Sequence, residues 1–156
     1  PVAGQPAWAA DETPAVPAAY SPKCSLNYNN GTDYKATDAG KAVPTTGTAT
    51  AGPFSLPAGG FANLTFWSFS GVENSTSYDF RRIQFSSDEF KTVAKEWLLN
   101  NGEDSGKWVE VKVDLSELKG KQVKLRFLFD SKDELNNSGP GWFVDDVKIQ
   151  QGTLGQ

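Results

Sequence analysis

The chain has 156 residues, a formal net charge of −4, one cysteine and neither histidine nor methionine. That length suits one domain, and the acidic balance speaks against a nucleic-acid phosphate backbone as partner. Without histidine no Ser-His-Asp or Cys-His catalytic group and no imidazole-rich metal site can be assembled, and Cys24 alone allows no internal disulfide.

Residues 1–22 form a compositional block in which Pro1, Pro6, Pro14, Pro17 and Pro22 are spaced by small alanines. Such a block favours extended, polyproline-like backbone over packed structure. It reads as a linker or as an arm along the domain surface, with Trp8 and Tyr20 as anchors, and its composition predicts that folding does not need it. Beginning at Pro1, the chain reads as a processed or excised piece. Cys24 reads as a buried structural thiol.

From residue 23 to about 150 the pattern is that of a β-domain, followed by a tail at 151–156. Asn29-Asn30-Gly31 marks a tight turn, and Pro53, Pro57 and Gly59-Gly60 break the chain before residues 63–69. That segment carries Leu64 and Phe66 on one face and Trp67 and Phe69 on the other, as a strand in a layered sheet would. Ser86-Ser87-Asp88-Glu89 has capping-box spacing, and Phe90, Val93, Ala94, Trp97 and Leu98 follow at helical intervals; read locally, 87–99 is an amphipathic helix. Residues 108–113 set Val109, Val111 and Val113 against Trp108, Glu110 and Lys112. Residues 114–121 turn the chain around Gly120. Val123, Leu125, Phe127 and Phe129 then point inward while Lys124 and Arg126 point out. No apolar run approaches the roughly 18 residues of a membrane span, so no membrane insertion is expected.

The last strand, at 142–149, poses a charge problem. Alternation puts Phe143, Asp145, Val147 and Ile149 on one face, so a carboxylate falls in phase with apolar residues. An isolated carboxylate in a core needs a partner. The choices are a metal, backbone N–H groups, protonation, or a buried cation such as Arg81 or Arg82.

Taken in order, several motifs resemble one family. They are Leu64-Thr-Phe-Trp-Ser-Phe69, Tyr78-Asp79, Ser86-Ser-Asp88, Trp108 with Val113-Asp-Leu-Ser116, Gly120-Lys-Gln-Val-Lys-Leu-Arg-Phe127, and Gly141-Trp-Phe-Val-Asp-Asp-Val-Lys-Ile149. Over about residues 45–150 the series is similar to the MAM-like jelly-roll modules of large bacterial secreted and cell-surface proteins, including those trailing immune-inhibitor-A-type metalloproteases. The resemblance implies an all-β fold, a two-sheet antiparallel β-sandwich, in an extracellular or cell-surface setting, without catalysis of its own and with a structural calcium ion. It also implies a strand near 95–99, in competition with the helix.

Calcium takes six to eight hard oxygens. The expected ligands are Asp145 with Asp79 and Glu73, joined by Asp146, because a 142–149 strand antiparallel to 63–69 would bring its start near the 71–79 loop. The expected ligand contacts lie in the loops 71–78 and 131–141, at Asn74, Asp133, Asn136 and Asn137, with Trp108 and Trp142 as alternatives on a sheet face. Together these point to a binding or adhesion module of a larger protein, with a glycan or protein partner. The competing classes are a structural spacer or assembly subunit bound to its parent polypeptide, and a glycosidase using loop carboxylates such as Glu73 and Asp133.

Overall fold

The computed structural model describes residues 4–11, 17–21 and 24–153. Eleven strands follow one another: β1 (Ala7–Asp11), β2 (Ser25–Asn29), β3 (Ala36–Asp38), β4 (Lys41–Val43), β5 (Thr46–Ser55), β6 (Phe61–Gly71), β7 (Phe80–Ser86), β8 (Lys95–Leu98), β9 (Val109–Asp114), β10 (Gln122–Asp130) and β11 (Gly141–Gly152). They form a five-stranded sheet in the order β1-β2-β11-β6-β9, a four-stranded sheet in the order β5-β10-β7-β8, and the small β3-β4 pair. Every ladder is antiparallel. The fold is the expected all-β sandwich, and no α-helix occurs among the described residues.

The core follows from the alternation. β10 sends Val123, Leu125, Phe127 and Phe129 inward, β7 adds Ile83 and Phe85, and Leu64, Phe66, Trp142, Val144 and Tyr28 answer from the five-stranded sheet. Leu115 and Leu118, around a 3-10 turn at Ser116–Leu118, close one end, and Gly120 takes the left-handed backbone (φ 74°) that ends that turn.

The segment 87–99 resolves against the helix. Ser86 Oγ accepts from the backbone N–H of Asp88 and of Phe90, and Asp88 accepts from Thr92, so the capping residues organise a turn. Glu89 and Phe90 are both left-handed (φ 60°), which a right-handed helix cannot contain. β8 then pairs with β7 and lays Trp97 opposite Ile83, against the core. Pairing with a sheet edge outweighs the local periodicity.

The N-terminal block also departs from expectation. Trp8 on β1 packs against Tyr28, Phe127 and Trp142, and its Nε1–H donates to the Gly47 carbonyl at 3.1 Å. Farther on, Tyr20 stacks on Trp67 with ring centroids 3.8 Å apart. The arm reading describes residues 4–11 and 17–21; Pro1, Pro14 and Pro22 lie outside the described residues. Trp8 therefore packs on the core, contrary to what the composition of the block suggests. Cys24 is exposed, where burial was expected. At the other end, β11 runs on to Gly152, into the expected tail.

β11 carries the correction that matters most. A bulge between Asp145 and Lys148, with Asp146 left-handed (φ 48°), reverses its phase. Trp142 and Val144 face the core before it and Ile149 packs on the core after it. Asp145 therefore lies with Phe143 on the outer face of the sheet, not in the sandwich interior.

Trp8→Ala should lower the unfolding free energy by about 2–3 kcal/mol, given a partly buried indole. Tyr20→Ala, at a ring 44% exposed, should lower it by much less. Urea melts of the two variants check the order; equal small losses would return Trp8 to the dispensable class.

Candidate functional site

Two regions gather polar side chains: the loop end beyond β6 and β7, and the outer face of the four-stranded sheet. The loop end is anchored by Arg81, fully buried at the start of β7. Its Nη1 and Nη2 donate to Asp104 Oδ2 and Oδ1 at 2.6 and 2.8 Å, its Nε to Asn101 Oδ1 at 2.8 Å, and Nη2 also to the Asn100 carbonyl at 3.0 Å. Ser68 donates to Asp104, and Trp142 Nε1–H donates to Ser68 at 3.0 Å. Trp142 is thus a fully buried core residue and offers a ligand no surface. The Asn101 amide donates to the carbonyls of Glu73, Ser75, Tyr78 and Asp79, which fixes the 72–79 loop.

Tyr34, between β2 and β3, ties that loop to the one before β11. Its hydroxyl donates to Asp79 Oδ2 at 2.6 Å and lies 3.2 Å from the Asn136 carbonyl, while its N–H donates to the Asn137 carbonyl. Glu73 N–H also donates to Asp79 Oδ2. The Asn137 amide donates to the Asp133 carbonyl. So Glu73, Asp79, Asp133, Asn136 and Asn137 do gather at one end, around a tyrosine that the motif reading passed over. Asn74 and Asn136 are exposed there, and Asn137 is buried.

Asp79 is fully buried, and its Oδ1 has no hydrogen-bond partner; neither has the Oδ1 of buried Asn137. Burial pushes the Asp79 carboxyl up to about 6, with the Glu73 and Asp133 charges adding to the rise and the Tyr34 and Glu73 hydrogen bonds opposing it. The same burial, with the Asp79 charge beside it, holds the Tyr34 hydroxyl far above its ordinary value.

Asp145 and Asp146 stand apart from this group. β11 does pair with β6, but Gly141 is the residue opposite Gly71, and Asp145 sits four residues along, opposite Trp67. At about 3.3 Å per residue that is roughly 13 Å from the loop. Asp145 accepts from Ser21 N–H at 3.0 Å, Ser21 Oγ at 3.4 Å and Asp146 N–H at 2.7 Å, and Ser21 Oγ also donates to Asp146. Hydrogen bonds from the arm therefore satisfy its charge. Among the described residues no three acidic side chains are placed to hold a metal ion together, so the grouping of Asp145 with Asp79 and Glu73 is not what the fold assembles. At the loop end the buried oxygens without donors are Asp79 Oδ1 and Asn137 Oδ1. Trp108 is half-buried beside Tyr20 and Phe69, its Nε1–H given to the Ala18 carbonyl.

The second region was not singled out from the sequence. On the outer face of the four-stranded sheet, Thr50, Arg126, Gln84 and Glu96 stand side by side across β5, β10, β7 and β8. Arg126 Nε donates to Gln84 Oε1 at 2.6 Å, and the Gln84 amide donates to Glu96. Glu96 also meets Arg82 Nε at 3.5 Å. The Arg126 guanidinium lies over Phe90 and that of Arg82 over Phe80, 4.2 and 4.6 Å from the ring centroids. Exposed Leu98 borders the row, and a cavity of about 230 Å³ between Ser75, Phe80, Leu98 and Asn100 joins this face to the loop end. Period-two reading of 80–86 places Phe80, Arg82, Gln84 and Ser86 on one face, which is the signal that could have found it.

No protein-family model matches the chain, and a search of curated proteins finds no relative. Solved structures share its fold. One is the glycoside hydrolase domain of Endo-D from Streptococcus pneumoniae R6 (TM-score 0.63, 14% identity), over 93% of this chain but only 20% of that one, so the chain spans about a fifth of its length. Another is the K3 cleaved adhesin domain of Lys-gingipain from Porphyromonas gingivalis W83 (0.58, 17%), over 94% and 86% of the two chains. A third is the CBM27-1 module from Caldicellulosiruptor saccharolyticus, solved with mannohexaose (0.52, 11%), over 94% and 84%. At these identities the likeness establishes the β-sandwich alone. No helix among the described residues is long and apolar enough to cross a membrane.

Asp79 sets a pH dependence. Its folded value, about 6, lies above the ordinary 3.8, so the folded state holds the proton more tightly. In calcium-free buffer this group's contribution to stability therefore falls as pH rises from about 4 to about 6. Asp79→Asn keeps an acceptor for Tyr34 and tolerates the left-handed backbone (φ 54°). Relative to the variant, the wild type should lose stability across that window, as read by urea midpoints. A constant difference from pH 4 to 7 would contradict this.

Proposed function

We propose that this chain is a non-catalytic binding module of a larger secreted or cell-surface protein, and that its ligand is a glycan. The observation that carries the reading is the outer face of the four-stranded sheet, where a cross-strand row of arginine, glutamine and glutamate lies between two phenylalanines. Arginine and glutamate groups tied together through the buried Gln84 amide match the paired hydroxyls of a sugar, and rigid strands preserve their spacing. The shared fold with an adhesin domain and with a module solved with mannohexaose supports this direction. Membership of the MAM-like modules belongs to the same proposal, as does the extracellular setting. The reading assigns no catalysis to the chain.

Affinity electrophoresis of the purified chain through gels containing neutral and acidic polysaccharides tests the reading. Retardation by at least one polysaccharide, without release of reducing sugar, is expected, and Gln84→Ala should weaken it. Retardation that survives Gln84→Ala but disappears when residues 71–78 are replaced by a short turn would move the site to the loop end with Asn74 and Asn136. Binding only to a segment of the parent polypeptide would favour the spacer alternative.

Structural calcium is proposed at Asp79, with Glu73 and the 131–137 loop supplying further oxygens and amide and carbonyl groups carrying much of the coordination. A ligand bound only to the folded state adds about 2.7 kcal/mol at a hundredfold excess over Kd. Chelator should therefore lower the melting temperature, Asp79→Asn should abolish that response, and Asp145→Ala should leave it in place. A melt indifferent to chelator, with no calcium found by metal analysis, rejects the proposal.

A further inference from the structure

We infer that the open sheet face selects acidic glycans, through Arg82 and Arg126 acting as two guanidinium forks on the carboxylate or sulfate groups of the sugar chain; this rests on the glycan reading above. The contrast with Arg81 is the starting point. Arg81 uses Nε and both Nη groups inside the protein. Arg82 and Arg126 use Nε alone, toward Glu96 and Gln84. Among the described residues, no hydrogen bond engages Nη1 or Nη2 of either side chain. A guanidinium held by its Nε presents its two Nη groups as a planar pair, the geometry that binds a carboxylate through two parallel hydrogen bonds.

Both forks are held in place before any ligand arrives. Phe80 of β7 meets the guanidinium of Arg82 and Phe90 of the 87–92 turn meets that of Arg126, and stacking on a ring face restricts the guanidinium plane. The same Gln84–Glu96 pair tethers them from its two sides. In register they are diagonal neighbours, because Arg126 stands opposite Gln84, two residues beyond Arg82 on β7. Diagonal positions lie about 7–8 Å apart. Charge agrees with the geometry. The chain is net negative, at −4, yet on this face Arg82, Lys124, Arg126 and Lys132 oppose Glu89, Glu96 and Asp130. Lys124 pairs with Glu89 and Lys132 with Asp130 at closer range than Arg82 with Glu96, and among the described residues no acidic side chain pairs with Arg126, so the arginines are the groups left to meet an anion. Exposed Thr48 and Thr50 on β5 add hydroxyls beside the row. A protein partner fits less well, since protein interfaces rest on an apolar core and the aliphatic surface here is limited to exposed Leu98 and half-buried Leu128 on either side of Arg82.

The test uses the full chain in calorimetric titrations with four probes: polygalacturonate, a sulfated galactan, neutral mannan and poly-L-glutamate. Polygalacturonate or the sulfated galactan should bind and mannan should bind far more weakly. Preference between the first two separates planar carboxylate from sulfate. Arg82→Gln and Arg126→Gln should each weaken binding roughly tenfold, the loss expected for a charge-assisted pair of hydrogen bonds. Arg126→Lys, which keeps the charge and removes the fork, should fail to restore it, and melting curves show that the variants remain folded. Mannan binding equal to that of the acidic polymers, or acidic binding unchanged in the double Gln variant, overturns the inference while the glycan reading stands. Poly-L-glutamate binding as tightly as the acidic polysaccharides overturns it in favour of an acidic protein segment. No binding to any polysaccharide overturns the glycan reading along with it.

Discussion

A buried guanidinium is the constraint around which one end of this sandwich is arranged. Placing Arg81 inside the protein removes a charge from water, which is tolerable only when an opposite charge and enough acceptors meet it in good geometry. Asp104 answers two of its nitrogens side by side, Asn101 answers Nε, the Asn100 carbonyl accepts a second bond from Nη2, and Ser68 Oγ lies 3.5 Å from Nη1. Each partner then fixes something else. Ser68 bridges Asp104 to the Trp142 indole, so β6 and β11 are pinned to the pair. Asn101 spends its amide on four carbonyl contacts that shape the 72–79 loop. Removing one member of such a pair typically costs about 3–5 kcal/mol, because the other charge stays buried and unpaired. The loop end inherits its conformation from this pair.

Besides Asp104, two acidic residues are buried, and they resolve in opposite ways. Asp145 is nearly covered yet receives three donors, two of them from Ser21, because the bulge turns it toward the arm. Asp79 receives two donors on one oxygen and none on the other, with Glu73 and Asp133 raising the local negative potential. The first is a carboxylate that holds the arm down. The second is a carboxylate short of positive charge, which is why it holds a proton more tightly than an ordinary carboxylate.

Much of the fold was legible because β-structure writes its burial in steps of two. The alternations at 108–113 and 123–129 match the inward faces of β9 and β10, and the antiparallel pairing of 142–149 with 63–69 is observed. What failed to show were features decided by a distant partner. The helical spacing of 87–99 is real, but Trp97 gains more by pairing against β7 than an isolated helix of that length could offer. The bulge at Asp145–Lys148 inserts one residue, and one residue reverses every later side chain. Trp8 looked like part of a linker because its proline- and alanine-rich neighbours have little to bury, and the slot it fills comes from β2, β10 and β11. The candidate face shows the same limit. Lys124 and Arg126 read as outward-facing, but the register that sets Arg126 beside Gln84, and Gln84 beside Glu96, exists only once three strands have paired.

This division of labour between the two outer faces explains why the aromatic residues misdirect. The five-stranded sheet carries Trp67, Phe69, Trp108 and Phe143 outward, a set that resembles a stacking platform. Yet Tyr20 lies flat on Trp67, Ala18 accepts from Trp108, and Ser21 is clamped by Asp145 and Asp146. The arm has taken the place a ligand would need, and those rings cover apolar surface with the chain's own backbone. The four-stranded sheet shows a different pattern: fewer rings, each against a guanidinium, and the 87–92 turn covering only part of the face through Glu89 and Phe90. Rings under guanidinium groups orient hydrogen-bond donors, whereas rings under another ring exclude water. The face with less aromatic surface is therefore the one left with unspent hydrogen-bonding capacity, and unspent capacity on rigid strands is what recognition requires.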